Sequence, residues 1–348
     1  MTRTAPPVAA GPARPTRPTR SVHPRRIGVL LVLATSALVL FVLSLGSGEL
    51  ALSPTEVLEV LAGRGSSLHE TVVLSWRMPR AVLALTLGAA LAVSGTVFQS
   101  LTRNPLGSPD IMGFDTGAYT GALIAVMMLH GSYLETTIGA LVGGLATAAV
   151  VYVFAIGRGV QGTRLIVVGI GVTGMLSSVN TWLIHRADLA VAARATMWGA
   201  GSLGSLAWEQ AVPALVCTVI LFALLVPLVR GMRMLELGDD TAAALGVSLG
   251  SVRMALIAVG VGLAATATAV AGPIAFVSLA APHIARRLVP GTGTDPVTAA
   301  AVGATLLVGA DWVAQHGFAP TQVPVGVVTA CLGGGYLVWL LLRESRRR

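Results

Sequence analysis

The residues that could do chemistry in this chain are few, and the first are two aspartates, Asp115 and Asp311, inside long apolar runs. An ionised carboxylate in hydrocarbon costs roughly 2.5–3.5 kcal/mol on insertion scales, so such residues are commonly functional. Each lies about one helical turn from the end of its run, which favours a structural carboxylate over a proton relay. A proton-driven carrier would need a denser set of buried titratable groups.

The histidines and cysteines form no metal-binding or catalytic pattern. The six histidines are scattered over loops and the ends of apolar runs, without an HExxH pair. Cys217 and Cys331 lack CxxC spacing, so neither a disulfide framework nor a metal site is predicted. We expect no catalytic residue, metal or cofactor. A membrane-embedded enzyme is disfavoured because no nucleophile, base and orienting group can be assembled.

Lysine is absent from the sequence, since all 23 basic residues are arginine. A Walker A loop needs its lysine to reach the β- and γ-phosphates of a nucleotide. The chain therefore cannot be an ATPase of that kind, and any ATP-driven step must be performed by a separate chain.

The elements that position these residues follow from composition. Hydrophobic residues make up 54% of the 348 and charged residues 11%, which leaves too little polar surface for a soluble globule of this size. Runs of about 20 apolar residues predict transmembrane helices, whereas barrel strands would alternate over about ten residues. The expected fold is all-α, a polytopic membrane bundle of about ten spans. The predicted spans are 27–46, 80–99, 111–130, 137–156, 164–184, 209–230, 253–271, 274–289, 297–316 and 325–343.

Arginine placement predicts the orientation. With ten spans and a cytoplasmic N-terminus, the outer arginines are Arg64, Arg77, Arg80, Arg186 and Arg194, and all the others lie inside. The basic charge thus indicates topology and anionic lipid headgroups, and nucleic-acid binding is not expected. Residues 1–26 read as a disordered basic cytoplasmic extension and 344–348 as a basic cytoplasmic tail. The first apolar run is longer than a signal-peptide core, which favours a retained helix over a cleaved leader.

The stretch LTRNPLGSPDIMGFDTGAYTGA, residues 101–122, predicts a cytoplasmic bend that leads into a helix. Gly113, Gly117 and Gly121 recur every four residues, which favours close helix packing over a pathway wall. A gate at the inner mouth is the second interpretation, with Asp115, Thr116 and Gly117 as its candidate residues.

A second cytoplasmic stretch, residues 230–253, predicts two short amphipathic helices around a hinge at Gly238. Asp239 and Asp240 fall in the first turn of the second helix, where carboxylates are favourable. So many apolar residues are unusual for a solvated linker, which favours a docking surface for a partner.

Four stretches resemble the permease subunits of iron–siderophore and vitamin B12 ABC importers, in order and at the family's spacing from about Leu74 onward. They are RMPR followed by LGAALAVSGTVFQSLTRNPLGSPDIMGFDTGA, then LELGDDTAAALGVS, AGPIAFVSLAAPHIARR and QVPVGVVTACLGGGYLVWLL. Within the family, the chain looks most similar to one of the two permease subunits of ferric-enterobactin-type importers.

The resemblance implies a vitamin-B12-importer-like bundle in a bacterial cytoplasmic membrane, with both termini inside. Its implied partners are a second permease, expected to be a different homologous chain, two ATPase subunits and an extracytoplasmic siderophore-binding protein. The implied substrate is a ferric siderophore, an enterobactin-like catecholate, moved by alternating access. The implied ATPase-coupling residues are Glu236, Leu237, Gly238, Asp239, Asp240, Ala244, Leu245 and Gly246.

The resemblance also implies that Arg77 and Arg80 contact the binding protein, although snorkelling at an interface would equally place arginines there. A further outer arginine of vitamin B12 permeases falls on Gln315, so one expected salt bridge is missing. The family more often has Ser or Asn at Asp115, so that carboxylate departs from its pattern. The alternative function is a proton-coupled secondary transporter that acts without an ATPase and uses Asp115 and Asp311.

Overall fold

The computed structural model describes residues 23–48, 50–129, 133–155, 162–204, 206–291, 293–318 and 321–345. Its α-helices are α1 (His23–Gly46), α2 (Pro54–Leu61), α3 (Ser67–Glu70), α4 (Met78–Thr102), α5 (Phe114–Leu129), α6 (Tyr133–Ala155), α7 (Gly162–Arg186), α8 (Leu189–Gly199), α9 (Trp208–Leu225), α10 (Val229–Glu236), α11 (Asp239–Ala244), α12 (Leu249–Ala271), α13 (Val277–Leu288), α14 (Pro296–His316) and α15 (Val325–Ser345). A π-helix, Thr71–Arg77, joins α3 to α4, and a 3₁₀ turn, Val226–Leu228, joins α9 to α10.

Two predicted segments fall largely outside the described residues. Of the N-terminal extension, only residues 23–26 are described, and they form the start of α1. Of the C-terminal tail, residues 344 and 345 end α15. The proposed disorder of the extension is therefore not addressed by the structure.

The all-α membrane fold is confirmed. Seven helical stretches among the described residues are long and apolar enough to cross a bilayer. They match the first, second, fourth, fifth, sixth, seventh and ninth predicted spans: Pro24–Gly46, Ser67–Thr102, Leu134–Ala155, Thr163–Arg186, Trp208–Glu236, Leu249–Ala271 and Pro296–His316. Hydrocarbon offers no partner for backbone N–H and C=O groups, so these runs must satisfy their hydrogen bonds internally as helices.

One predicted span is shorter than expected, so a count of ten crossings stays a prediction. α15 has 21 residues, and the 16 described residues of α5 end at Leu129, beside residues outside the described ranges. α13 has 12 residues. At about 1.5 Å per residue it is about 18 Å long, less than the hydrocarbon thickness of about 30 Å. The predicted span 274–289 is thus a half-length helix.

The helical path is interrupted before α13, at Gly272 and Pro273, between the predicted spans 253–271 and 274–289. Gly272 ends α12 at φ +75°, and a Cβ there would overlap the carbonyl of Trp198. Phe276, just before α13, has φ +70°, a left-handed conformation that is costly for an aromatic residue. Asp110 holds this turn, because its carboxylate accepts hydrogen bonds from the Phe276 N–H (3.2 Å) and the Ser278 hydroxyl (2.8 Å).

The centre of the bundle is α4, which packs against α9, α12, α13 and α14. Small residues allow this approach, since a Cβ at Gly88 would overlap the Gly303 backbone and one at Gly95 would overlap that of Ser278. Leu87 and Leu307 are fully buried between these helices. α4 therefore connects the two ends of the bundle through its core.

The glycine repeat of the 101–122 stretch packs as expected for two of its three members. Gly117 and Gly121 lie against Gly143 and Gly139 of α6, so close that a Cβ at any of them would overlap the facing backbone or side chain. Gly113 instead lies in the turn just before α5, where its φ is +81°. Close packing of α5 on α6 is confirmed, and the first glycine makes the turn.

Two regions expected to be outer loops are largely helical. In the predicted loop 47–79, α2 and α3 form, and the helix that contains α4 begins at Ser67. Ser53 and Glu56 close α2 with a capping box. α8 fills the segment after α7 and was not predicted, because 11 residues are too few for a span.

Candidate coupling site and the two ends of the bundle

The candidate coupling site is a hairpin of α10 and α11, and its predicted hinge is confirmed. Gly238 has φ +106° and separates α10 from α11, which begins at Asp239. Met232, Leu235 and Ala242 are buried against the bundle. Those three apolar residues therefore anchor the hairpin to the bundle. Leu237 and Leu245, by contrast, are 64% and 55% exposed and form part of its free surface.

Asp239 ties the hairpin to two long helices. Its Oδ1 lies 2.6 Å from a guanidinium nitrogen of Arg253, near the start of α12, and 3.2 Å from one of Arg103. Arg103 ends α4 in a left-handed conformation, φ 49°. The carboxylate of Asp239 thus binds the permease's own helices, whereas Asp240, the next residue, is exposed.

Glu236 also faces its own chain. Its carboxylate lies near Ser100 of α4 and the backbone of Thr294, in the field of Arg286 of α13, and the Ser100 hydroxyl donates to the Met232 carbonyl of α10 at 3.2 Å. Arg233, one turn earlier, donates to the Thr294 carbonyl (3.2 Å). Of the predicted coupling residues, Glu236 and Asp239 therefore anchor the hairpin, and the exposed ones are Leu237, Asp240, Ala244, Leu245 and Gly246.

At the opposite end, Arg77 binds backbone carbonyls. Its two terminal nitrogens donate to Leu45, in the last turn of α1 (2.8 Å), and to Leu50 (2.6 Å). Carbonyls at a helix C-terminus lack intrahelical donors, and a cation is favourable there. In this structure Arg77 closes the end of α1.

Arg80 and Gln315 meet at Asp311. Arg80 makes a forked contact with the carboxylate, with Nε to Oδ2 at 3.0 Å and a terminal nitrogen to Oδ1 at 2.9 Å. Gln315 donates to Oδ2 at 2.9 Å. The side chain of Asp311 is 1% exposed, so burial is compensated by pairing and Asp311 is a structural carboxylate that joins α4 to α14.

The gate candidates point to different neighbours. Asp115 is 5% exposed and accepts a hydrogen bond from Thr268 of α12 at 3.1 Å. The backbone carbonyl of Thr116 accepts one from Thr120 of its own helix at 2.8 Å and one from Asn180 of α7 at 3.5 Å. Gly117 packs on Thr147 of α6. The three face separate helices inside this subunit, and a gating role for them stays a prediction.

A face that the sequence reading did not single out lies on α7 and α15. Gly171 and Gly174 of α7 and Gly334 and Gly335 of α15 have open space where a Cβ would be. α7 and α15 also expose large apolar side chains, among them Ile170, Met175, Leu332 and Val338, and α9 has no glycine and exposes Val212, Leu215, Val216, Val219, Ile220 and Leu224. Large side chains suit lipid, whereas exposed glycines leave room for another backbone. The signal was present as glycine spacing, but sequence alone could not say which glycines were already covered.

Within the ranges that the structure describes, no three His, Cys, Asp or Glu side chains gather as metal ligands. The geometry comprises a multi-pass helical bundle with an anchored hairpin at one end and a paired arginine cluster at the other. That arrangement defines a multi-pass helical membrane protein.

The chain belongs to the FecCD transport family, whose model matches residues 36–343. It is 46% identical to the ferric enterobactin transport system permease protein of Escherichia coli, over 94% of this chain and 99% of that one. It is 36% identical to the achromobactin transport system permease protein of Dickeya dadantii, over 91% of this chain and 90% of that one. An inward-facing structure of a metal-chelate type ABC transporter matches with a TM-score of 0.78 and 27% identity, covering 91% of this chain and 99% of that chain.

Proposed function

We propose that this chain is the permease subunit of an ABC importer that moves a ferric siderophore of the enterobactin type. The observation that carries the proposal is the hairpin, which exposes a tip of Leu237, Asp240, Leu245 and Gly246 and is anchored to α4, to α12 and to the loop before α14. The named relatives, permeases for ferric enterobactin and achromobactin, support the substrate class. An iron chelate is the cargo, and ATP is hydrolysed by two partner ATPase subunits.

The anchors of the hairpin provide a route for force. Arg103 and Ser100 connect it to the end of α4, and Arg253 connects it to the start of α12. Contacts at Thr294 connect it to the loop between α13 and α14. When ATP draws the motor subunits together, a displacement of the hairpin reaches these helices at once. Alternating access then follows as a rigid-body change.

The proposed orientation has the hairpin and both termini in the cytoplasm of a bacterial inner membrane. Five arginines make contacts at the end of the bundle where the hairpin lies: Arg25, Arg26, Arg103, Arg233 and Arg253. Positive residues concentrate on the cytoplasmic side of membrane proteins, which supports this assignment.

A second permease subunit, a different homologous chain, would pack against the open glycine face of α7 and α15. Exposed glycines permit close backbone approach between subunits, and a pathway between two permeases would be lined in part by this face.

The binding protein would dock at the opposite end, where Arg77, Arg80 and Gln315 lie. All three side chains are engaged by their own chain, so docking acidic residues would have to share the Arg80–Asp311 pair or contact its exposed edge. Arg80 keeps 15% of its side chain exposed.

The test changes the charge and polarity of the exposed tip and leaves the residues that anchor the hairpin unchanged. Asp240→Arg combined with Leu245→Asp places a reversed charge and a new charge in the docking surface. Since interface positions of this kind cost about 2 kcal/mol or more, we expect about thirtyfold weaker ATPase binding in co-purification and loss of ferric-siderophore uptake.

The matched control is Glu209→Arg with Leu189→Asp, the same two changes at exposed positions of the other end, which should retain the ATPase. ATPase retention by the tip variant would contradict the proposal. Uptake that persists without the ATPase but collapses with a protonophore would instead favour a proton-coupled transporter.

A further inference from the structure

A groove runs along the outside of the bundle where α9 becomes α10. Two adjoining cavities, of about 310 and 420 Å³, share Val226, Val229 and Arg233 in their walls. The first continues between α1 and α14, past Arg26 and Val297, and the second continues along α10 past Arg230.

The wall of the groove is a continuation of the lipid-facing side of α9. Val226 is 71% exposed and Val297 is 56% exposed, and Phe222 and Ala300 form the floor. An apolar channel between helices at the end of a lipid-facing stripe has the shape and chemistry of an acyl-chain site.

The charged end of the groove is basic. Arg230 and Arg233 are both exposed and stand three residues apart on one side of α10. The contacts of the described residues leave the Arg230 guanidinium unengaged, and Arg233 uses its Nε for the Thr294 carbonyl. The carboxylate in the wall, Asp295, is already paired with Arg26 at 2.8 Å.

Glu236, the acidic side chain of α10, lies near Ser100 and in the field of Arg286 as well as Arg233. The groove therefore offers positive charge beside an apolar slot, at the end of the bundle that carries the coupling hairpin.

We propose that this groove binds one anionic phospholipid of the surrounding leaflet, with its phosphate on Arg230 and Arg233 and an acyl chain against Phe222, Val226 and Val297. Arginine forms charge-assisted hydrogen bonds to phosphate, and basic pockets between membrane helices on the cytoplasmic side bind anionic headgroups. The lipid bridges α1, α10 and α14 directly beside the hairpin, so it stiffens the frame against which the hairpin moves.

The experiment uses the full chain purified from membranes and incubated with phosphatidylglycerol in detergent, with the bound lipid counted by mass spectrometry. Arg230→Gln with Arg233→Gln should retain about tenfold less phosphatidylglycerol, since each arginine near a membrane surface contributes appreciable attraction. Val297→Trp, which fills the slot at an exposed position and changes no charge, should also lower retention. Arg64→Gln with Arg186→Gln removes the same charge elsewhere and should retain the lipid.

Equal retention by the wild type and both groove variants would overturn the proposal, as would displacement by phosphatidylcholine at the same concentration. If the double arginine variant keeps its lipid, the lipid site is wrong whether or not the ATPase is lost, because Arg233 also anchors the hairpin at Thr294. Lipid retention is measured without the ATPase or a siderophore. A result that overturns the lipid site would therefore leave the importer assignment intact.

Discussion

At one end of the bundle Arg80 and Asp311 form a pair almost closed to solvent, with side-chain exposures of 15% and 1%. At the other, Asp239 is shared by Arg103 and Arg253 and is itself 36% exposed. The first pair is surrounded by packed helices and holds α4 to α14. The second lies at the base of a hairpin where contacts can be exchanged. From this difference we expect the end with the Arg80–Asp311 pair to stay fixed and the end with the hairpin to move.

The largest expected effect comes from breaking the buried pair. Asp311→Asn leaves the Arg80 guanidinium uncompensated in the core, which should cost about 3–5 kcal/mol and lower the thermal midpoint of the purified protein sharply. Replacing both partners with apolar residues, Arg80→Met with Asp311→Leu, should recover most of that stability. Asp188→Asn, an exposed aspartate at the start of α8, serves as the control and should have little effect. An Asp311→Asn variant with an unchanged thermal midpoint would show that the Arg80–Asp311 pair does not hold α4 to α14.

An intermediate effect is expected from Asp239→Asn, and it should fall on transport. A half-exposed pair contributes about 0–1 kcal/mol, so the thermal midpoint should change little. Because the substitution weakens the contacts to Arg103 and Arg253 while leaving the exposed tip intact, the ATPase should still co-purify but siderophore uptake should fall several-fold. Asp239→Glu should restore part of the uptake. Equal uptake by wild type and Asp239→Asn would remove Asp239 from the coupling route.

The smallest effect concerns the pair of Arg26 with Asp295, just before α14. Burial would raise the pKa of Asp295, but hydrogen bonds from Thr298 and Arg26 and the charge of Arg26 hold it below its ordinary value of 3.8. A lowered folded-state pKa stabilises the protein above the ordinary value, and that stability is lost as pH falls through the folded-state pKa. The thermal midpoints of wild type and Asp295→Asn should therefore differ at about pH 6 and converge as the pH falls through the folded-state pKa, which lies below 3.8. A gap that stays constant with pH would refute the ionised pair.

Several features of the fold and of the candidate site followed from local sequence patterns. The Gly238 hinge, the helix start at Asp239 and the Gly272 break were predictable because glycine, proline and carboxylates act on the backbone within a few residues. The long apolar runs were predictable for the same reason, since each satisfies its hydrogen bonds within itself. α8 and the half-length α13 were missed because their lengths fit neither a loop nor a span.

The amino-acid sequence by itself determined that this is an all-α membrane protein without a Walker-type ATPase motor, because composition, run length and the lack of lysine are properties of the chain alone. Only the tertiary structure decided which charged side chains pair with one another. Arg80 and Asp311 are 231 residues apart, and Asp239 and Arg103 are 136 apart. No local pattern encodes such pairs, because they exist only once packed helices bring distant side chains within hydrogen-bonding distance.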